Sequence, residues 1–206
     1  NWLVNILRRL ELFSYARSDA VVVLSDDLRK RLVPRVDNEE KLRVIPNFVD
    51  TQSLYPTARD NSYRRELGLT DETVVMYAGN VGFSQPLELI IEAARQLRDR
   101  DDLVFVINGD GSRRAHFETE AEELPNVTFM GYQPRNRLNE LLAAGDIHIV
   151  PLQPGMGSIS VPSKIYSILA VGRPVLASVD PGTEIDLVVT RSGAGRSVPA
   201  GDTRAF

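Results

Sequence analysis

The sequence has 206 residues, of which 43% are hydrophobic and 25% are charged, and its formal net charge is -4. This composition is typical of one large or two small globular domains, and it excludes a broad basic surface for nucleic acid. The chain has no cysteine and only two histidines, which excludes disulfides, thiolate metal ligands and His-rich metal centres. We therefore expect neither a bound metal nor a nucleic-acid partner.

The two ends of the sequence read as parts of a longer chain. The start, NWLVNILRRLELFSYARSD, opens directly on a helical pattern without an initiator methionine, and the final GDTRAF stops where another helix would begin. No apolar run reaches the roughly 18 residues of a membrane span, and no signal peptide is recognisable. We expect this sequence to be a fragment of a larger protein.

The first fifty residues predict the end of one α/β domain. Residues 2–17 carry apolar side chains at helical spacing and predict an amphipathic helix packed into a core, with a peripheral membrane face as the alternative. Short β-branched runs at 20–24 and 42–45 predict strands, and a proline-bounded connector follows. We assign residues 1–50 to this domain end and residues 51–206 to a second domain.

The second domain alternates between apolar runs and helical stretches. Such alternation is typical of an α/β fold, a Rossmann-like parallel sheet with helices on both faces. Ligands bind these sheets at the carboxyl ends of the strands. The predicted strands are 73–78, 103–108, 126–130, 146–150, 174–178 and 194–198, and the predicted helices are 86–100, 112–123, 135–144, 162–171 and 184–191.

Loops with glycine follow the predicted strands at that edge. They include GNVGFSQP (79–86), GDGS (109–112), GYQP (131–134) and PLQPGMGSISVPSK (151–164). Glycine lets backbone N–H groups approach a ligand, and the following helix presents a partial positive charge. Taken singly, each loop could be a tight turn, but several on one edge favour an anion site, most simply for a diphosphate.

The fourth loop supplies the positive charge that the first lacks. Pro162 and Ser163 are typical of a helix start. Lys164 then falls in the first helical turn, where a cation opposes the helix dipole. We expect Lys164 to serve an anion rather than to be only solvated, with Arg113 or Arg114 as a second candidate charge.

Five motifs resemble, in this order, the donor-binding half of family 4 glycosyltransferases, whose GT-B fold places two Rossmann-like domains across a cleft. The resemblance is closest to bacterial enzymes that build surface polysaccharides, including transferases of the N-acetyl-fucosamine type. It implies that residues 1–50 end the acceptor domain and that residues 51–206 bind a nucleotide sugar. The motifs are VIPNFVD (44–50), VVMYAGNVGFSQPLELIIEAARQL (74–97), VINGDGSRR (106–114), VTFMGYQPRNRLNELLAAGDIHIVPL (127–152) and VPSKIYSILAVGRPVLAS (161–178).

The resemblance also implies a donor site and a reaction. The donor is a nucleotide-diphosphate sugar, taken to be UDP-linked, and the transfer retains the anomeric configuration and uses no metal or cofactor. Lys164 and Ser163 are the implied catalytic residues that stabilise the leaving diphosphate. The residues implied to bind the donor are Gly79, Asn80, Val81, Gly82, Gln85, Gly109, Asp110, Gly111, Arg113, Met130, Gly131, Tyr132, Ser160, Pro162 and Ser167.

Four positions depart from the pattern of that family. Asn80 and Gln85 stand where many members have arginine and lysine, and Ile159 and Ser167 replace the usual acidic pair. These departures support an alternative, a degenerate binding or scaffolding module without activity. A nucleotide-sugar epimerase of the same fold is a further alternative, which the scarcity of carboxylates and histidines in the predicted cleft disfavours.

The resemblance implies a partner and a location for the full-length protein. A glycan or a lipid-linked acceptor would bind through the N-terminal domain, in the cytoplasm at the inner face of the plasma membrane, with peripheral membrane association. A dinucleotide oxidoreductase is disfavoured, because the first loop is not G-x-G-x-x-G and Asn108 rather than an acidic residue ends the second strand. His148 lies in an apolar strand and is predicted to be a core histidine, whereas His116 is predicted to lie on the surface.

Overall fold

The computed structural model describes residues 2–206, which divide into two compact units at Asn47 and Phe48. The first unit contains a parallel pair of strands and two helices. The side chain of Ser25 accepts the N–H of Leu28 at 3.4 Å and so caps the second helix. Its elements are α1 Trp2–Arg17, β1 Val21–Val23, α2 Asp26–Leu32 and β2 Leu42–Val44.

Helix α1 has the predicted bounds but not the predicted packing. None of its described side chains is buried, and Trp2 is 73% exposed. Polar contacts connect it to the rest of the unit: Glu11 pairs with Arg35 at 3.3 Å, and Lys41 Nζ donates to the carbonyl of Ala16 at 3.1 Å. The prediction of a core helix is wrong for the described residues, because two three-residue strands offer too little apolar surface to cover it.

The second unit contains a six-stranded parallel sheet in the order β5-β4-β3-β6-β7-β8. This confirms the predicted fold class, a Rossmann-like sheet covered by helices on both faces. The predicted strands are correct to within one residue, and the helices are shorter than predicted except for α8, which extends one residue further. The elements are α3 Ser62–Glu66, β3 Thr73–Ala78, α4 Glu88–Gln96, β4 Leu103–Asn108, α5 Arg114–Glu120, β5 Val127–Met130, α6 Leu138–Ala144, β6 Ile147–Pro151, α7 Lys164–Ala170, β7 Val175–Val179, α8 Glu184–Ser192 and β8 Gly195–Pro199.

The strand order reverses between β3 and β6. From β3 the chain moves outward to β4 and β5, and then it returns to β6 on the other side of β3. The connections after β3 and β6 therefore leave the sheet in opposite directions. Parallel α/β sheets bind ligands at the crevice opened by such a switch point.

A buried ion pair joins α3 to the start of β6. Arg64 is 1% exposed, and its guanidinium donates to Asp146 Oδ2 at 3.0 Å and to the carbonyls of Thr70 and Glu72. Asp146 also accepts the backbone N–H of Val74 at 2.9 Å. These bonds fix the helix that precedes the sheet against the amino ends of its two central strands.

None of the helices in residues 2–206 has the length and apolar composition required to cross a membrane.

Candidate functional site

Two adjoining clefts lie at the carboxyl edge of the sheet in the second unit. The larger has a volume of about 810 Å³ and the smaller about 240 Å³, and Leu138 and Ser167 line both. The smaller lies at the ends of β3 and β4, and we call it the switch-point cleft. Its lining residues are Ala78, Gly79, Asn108, Tyr132, Gln133, Leu138, Leu141, Leu142, Ser163, Lys164, Ser167 and Ile168.

Lys164 provides the charge of the switch-point cleft. Its Nζ lies 3.9 Å from the centroid of the Tyr77 ring, a cation–π contact. The same atom rests beside Gly79, because a methyl group built there would come within 2.6 Å of it. The side chain is partly exposed as a whole, yet Nζ itself is buried and has no hydrogen-bond partner among the described residues.

Burial changes the protonation of this lysine. Removal of the ammonium from water disfavours its charged form and lowers the pKa of Lys164 to about 7. Such a buried, unpaired ammonium is costly in the empty protein and gains strongly from an anion brought to it. The geometry therefore fits an anion-binding lysine.

Helix α7 begins at Lys164, two residues later than predicted. Ser163 stands at the N-cap with φ -63° and ψ -22°, and its side chain makes no capping hydrogen bond in the described structure. A capping serine normally has extended φ and ψ angles. Ser163 thus stands at the start of the helix, as its residue type predicted, but its side chain does not cap the helix, and Ser163 lines the switch-point cleft.

The glycine loops that follow β3 and β4 pack directly against each other. A Cβ atom on Gly109 would lie 1.8 Å from the carbonyl oxygen of Gly79, and one on Gly111 would lie 2.3 Å from that of Val81. The N–H of Val81 also donates to the carbonyl of Asp110 at 2.9 Å. Gly109 and Gly111 are predicted to leave room for the sugar donor. In the structure the backbone of the loop after β3 fills the space beside each of them.

The two arginines predicted as a second source of charge are paired within the protein. Arg113 forms an ion pair with Glu88 at 2.6 Å. Arg114 pairs with Glu118 at 2.8 Å and donates to the carbonyl of Gly109 at 2.6 Å. Neither lines the switch-point cleft, and the role of either arginine as a second candidate charge stays a prediction.

The structure brings together some of the predicted site residues. Gly79, Tyr132, Ser163, Lys164 and Ser167 line the switch-point cleft. Gly109, Asp110, Gly111 and Arg113 do not line it, and neither do several other predicted donor-binding residues. These are Asn80, Val81, which is fully buried in the core, Gly82, Gln85, Met130, Gly131, Ser160 and Pro162.

A family model described as "Glycosyl transferases group 1" matches residues 72–206 of this chain, and one described as "Glycosyltransferase Family 4" matches residues 1–53. The chain belongs to the group 1 glycosyl transferases. It is 30% identical over 204 residues to the probable glycosyltransferase WbjE of Pseudomonas aeruginosa, covering 98% of this chain and 51% of that protein. It is also 32% identical over 172 residues to the putative colanic acid biosynthesis glycosyl transferase WcaI of Escherichia coli, covering 81% and 42%. The chain thus spans about half the length of these group 1 relatives.

A solved structure shares the fold of this group 1 chain. The Anabaena protein Alr3699/HepE, crystallised in complex with UDP, superposes with a TM-score of 0.74 at 19% identity, covering 96% of this chain and 54% of that one. A second structure of the same protein contains UDP-glucose and superposes with a TM-score of 0.71 at 18% identity, covering 96% and 55%.

Asp180 positions the long loop after β6, a role that the sequence did not reveal. Its Oδ1 accepts the N–H of Gly155 and its Oδ2 accepts that of Gly157, each at 3.0 Å. The N–H of Gln153 also donates to the carbonyl of Ser84 at 3.2 Å. These bonds hold the first half of the loop that leads to Lys164.

Asn108 is a second site residue that sequence reasoning missed. It ends β4, is 3% exposed and lines the switch-point cleft. Its Oδ1 accepts a hydrogen bond from the hydroxyl of Tyr63, whereas its Nδ2 has no partner among the described residues. The signal in the sequence that could have identified it is a polar side chain at the end of an apolar strand.

The two histidines behave as predicted. His148 is fully buried, and its Nε2 lies 2.8 Å from the carbonyl of Leu142, to which it donates. Burial lowers the pKa of His148 to about 4, so it is neutral at physiological pH. His116 is a half-exposed surface residue that lies 3.4 Å from Glu120. Within residues 2–206 no cluster of three or more His, Cys, Asp or Glu side chains has a geometry that could hold a metal.

Proposed function

We propose that residues 48–206 form the nucleotide-sugar-binding domain of a glycosyltransferase that builds bacterial surface polysaccharide, with a UDP-linked sugar as the donor. The observation that carries the proposal is the buried ammonium of Lys164, which faces a cleft at the switch point and lacks a partner. The UDP and UDP-glucose bound by the Anabaena protein, and the descriptions of WbjE and WcaI, support it.

The diphosphate would bind where Gly79 meets Lys164. The absence of a side chain on Gly79 leaves room for the ammonium of Lys164, and an oxygen of the diphosphate would meet the ammonium beside this backbone. Because this ammonium is shielded from water, its attraction for a dianion is stronger than that of an exposed lysine. Apolar side chains of α6 and α7 would then cover the neighbouring part of the ligand. They are Leu138, Leu141, Leu142 and Ile168.

The chemistry assigned to this site is loss of the nucleoside diphosphate from the sugar. The bond between the anomeric carbon and the diphosphate oxygen breaks, and its electron pair stays on that oxygen. The Lys164 ammonium stabilises this charge as it develops, with the Ser163 hydroxyl as a hydrogen-bond donor. An acceptor hydroxyl attacks the anomeric carbon, and its proton passes to the leaving diphosphate oxygen. We propose that the new bond keeps the configuration of the donor and that no metal ion takes part.

Binding of the acceptor is proposed for the full-length protein rather than for this chain alone. A glycan or a lipid-linked acceptor would meet the donor across the cleft between two domains, in the cytoplasm beside the plasma membrane. The anomeric configuration of the product, read by proton NMR of the disaccharide linkage, tests retention. A product of inverted configuration would contradict the reaction course proposed here.

Calorimetric titration with UDP tests the donor site. We expect saturable binding that Lys164→Met weakens by about tenfold, the scale of one charge-assisted hydrogen bond. The matched control is Lys30→Met, which removes an exposed lysine of the first unit and should leave the affinity unchanged. Absence of saturable binding by the unaltered chain, or equal affinities of both variants, would overturn the proposal.

A nucleotide-sugar-binding module without transferase activity is the second candidate. The observation that favours it is the uncharged Ser167 in the cleft, in a position where the resemblance implies a carboxylate. Release of UDP from a UDP-sugar by the full-length protein, with and without acceptor, separates the two. Tight binding without any turnover would favour the module.

A further inference from the structure

Two buried hydrogen-bond donors in the switch-point cleft have no partner among the described residues. One is Nζ of Lys164, and the other is Nδ2 of Asn108. A buried amide N–H without an acceptor is unfavourable and is rare in folded proteins. The proposed function uses the first of these donors and leaves the second unexplained.

The orientation of the Asn108 amide is set from behind by Tyr63. Tyr63 lies on α3, has no exposed surface, and donates its hydroxyl hydrogen to Asn108 Oδ1. Burial raises the pKa of Tyr63 to about 12, so the hydroxyl keeps its proton at neutral pH. Because Oδ1 is held by this bond, Nδ2 is the free end of the amide.

The backbone of Asn108 lies at the carboxyl end of β4, beside the ends of both neighbouring strands. Asn108 is level with Ala78 on β3 and with Met130 on β5. Its carbonyl accepts the N–H of Gly79 at 2.9 Å. Asn108 is therefore bonded through its backbone to the glycine that contacts Lys164 Nζ, and its side chain lines the same cleft as Lys164.

We propose that Asn108 is a donor-binding residue whose Nδ2 donates a hydrogen bond to an oxygen of the bound nucleoside diphosphate, and that Tyr63 is the positioning residue that orients it. This inference rests on the proposed function and adds a second, uncharged contact to it. A carboxylate in this position would repel the diphosphate, and an apolar side chain would leave the ligand oxygen unpaired.

Two substitutions of similar size test the direction of this hydrogen bond. Asn108→Leu removes the donor, and Asn108→Asp replaces it with an acceptor that is negatively charged. We expect calorimetry with UDP to show a loss of about tenfold for the leucine variant and a larger loss for the aspartate variant. An aspartate variant that keeps its UDP affinity would show that Asn108 donates no hydrogen bond to the diphosphate, and the proposal would be overturned.

The melting temperature separates binding from a merely structural role. Asn108→Leu removes an unpaired buried donor but leaves the buried hydroxyl of Tyr63 without its acceptor, so its melting temperature should fall somewhat, and its UDP affinity should fall as well. A large drop in melting temperature with unchanged UDP affinity would overturn the proposal. If the unaltered chain does not bind UDP, the proposed function itself fails. If it binds and Asn108→Leu binds equally well, only this inference fails.

Tyr63→Phe tests the positioning role. We expect UDP affinity to fall several-fold, because the amide loses the bond that orients it. In ¹⁵N–¹H spectra the side-chain pair of Asn108, identified by its absence from Asn108→Asp, should shift on addition of UDP and shift less in Tyr63→Phe. The control is Tyr15→Phe, which removes a hydroxyl bonded to Glu11 in the first unit. Equal behaviour of the two phenylalanine variants would contradict the role of Tyr63.

Discussion

Gly79 and Lys164 are in such close contact that any side chain on the glycine would displace the ammonium. A Cβ atom there would come within 2.6 Å of Nζ and 3.1 Å of the preceding carbon. The backbone of Gly79, with φ +153°, also has a conformation that other residues rarely adopt. The position of the Lys164 ammonium therefore depends on the backbone conformation of the loop after β3.

Gly79→Ala is expected to weaken UDP binding by about tenfold, because the methyl group moves Nζ away from the place where the diphosphate binds. It should also lower stability, since alanine is strained at this φ angle. The control is Gly68→Ala, where φ is +71° and no described atom lies within 4 Å of the added methyl group. That variant should lose stability but keep its UDP affinity, and a similar loss of affinity in both would refute the explanation.

The affinity for UDP-glucose should depend on pH through Lys164. Its pKa of about 7 in the empty protein rises when a diphosphate binds, so binding above that pH takes up a proton. Affinity should be flat below about pH 6 and fall progressively above about pH 7, by at most about tenfold per unit. UDP-glucose is suitable because its diphosphate keeps a constant charge in this range. Calorimetry between about pH 6 and 9 measures the effect, and an equal slope for Lys164→Met would contradict it.

The buried pair of Arg64 and Asp146 should contribute to stability at neutral pH. Burial alone would raise the pKa of Asp146, but the N–H of Val74 and the guanidinium groups of Arg59 and Arg64 together hold it below its usual value. Stability from this group is present above the unfolded pKa of about 3.9 and is lost as the pH falls through the lower folded pKa.

Asp146→Asn should therefore lower the free energy of unfolding by roughly 2–4 kcal/mol at neutral pH, since it leaves Arg64 buried without its counter-ion. The difference should shrink as the pH falls below the unfolded pKa of about 3.9 towards the lower folded pKa, because the unfolded chain then binds a proton that the folded Asp146 does not. Urea unfolding at about pH 7 and about pH 3 measures this. Asp99→Asn, at a side chain that is 94% exposed, is the control and should change little. A difference that persists unchanged in acid would rule out the carboxylate charge as its source.

Much of the fold could be read from the sequence, because strands buried on both faces require continuous apolar runs such as residues 73–78 and 103–108. The location of the candidate site followed from topology, since loops after parallel strands meet at one edge. The sequence also singled out Lys164, because a lysine in the first turn of a helix opposes the helix dipole, and its role towards an anion stays a prediction. These inferences depend on local sequence and on general rules of α/β folds.

The remaining features depend on contacts between distant parts of the chain. A glycine required by a neighbouring backbone, as at Gly109, looks the same in sequence as one required by a ligand. The pairing of Arg113 with Glu88 joins residues 25 positions apart, and the bond from Tyr63 to Asn108 spans 45 positions. The prediction that α1 packs into a core failed for a similar reason, since the spacing of apolar residues predicts an apolar face but not the part of the protein that covers it.

The interlocked turns at Gly79 and Gly109 have an evolutionary consequence. Their backbones meet with no side chain between them, so a larger residue at Gly109 would require both turns to shift together. A mutation that changes the backbone of one turn should therefore require a matching change in the other, and the two turns should be conserved together. If the chain binds a nucleotide sugar as proposed, changes of donor preference should therefore arise in parts of the cleft that can vary independently, such as α6.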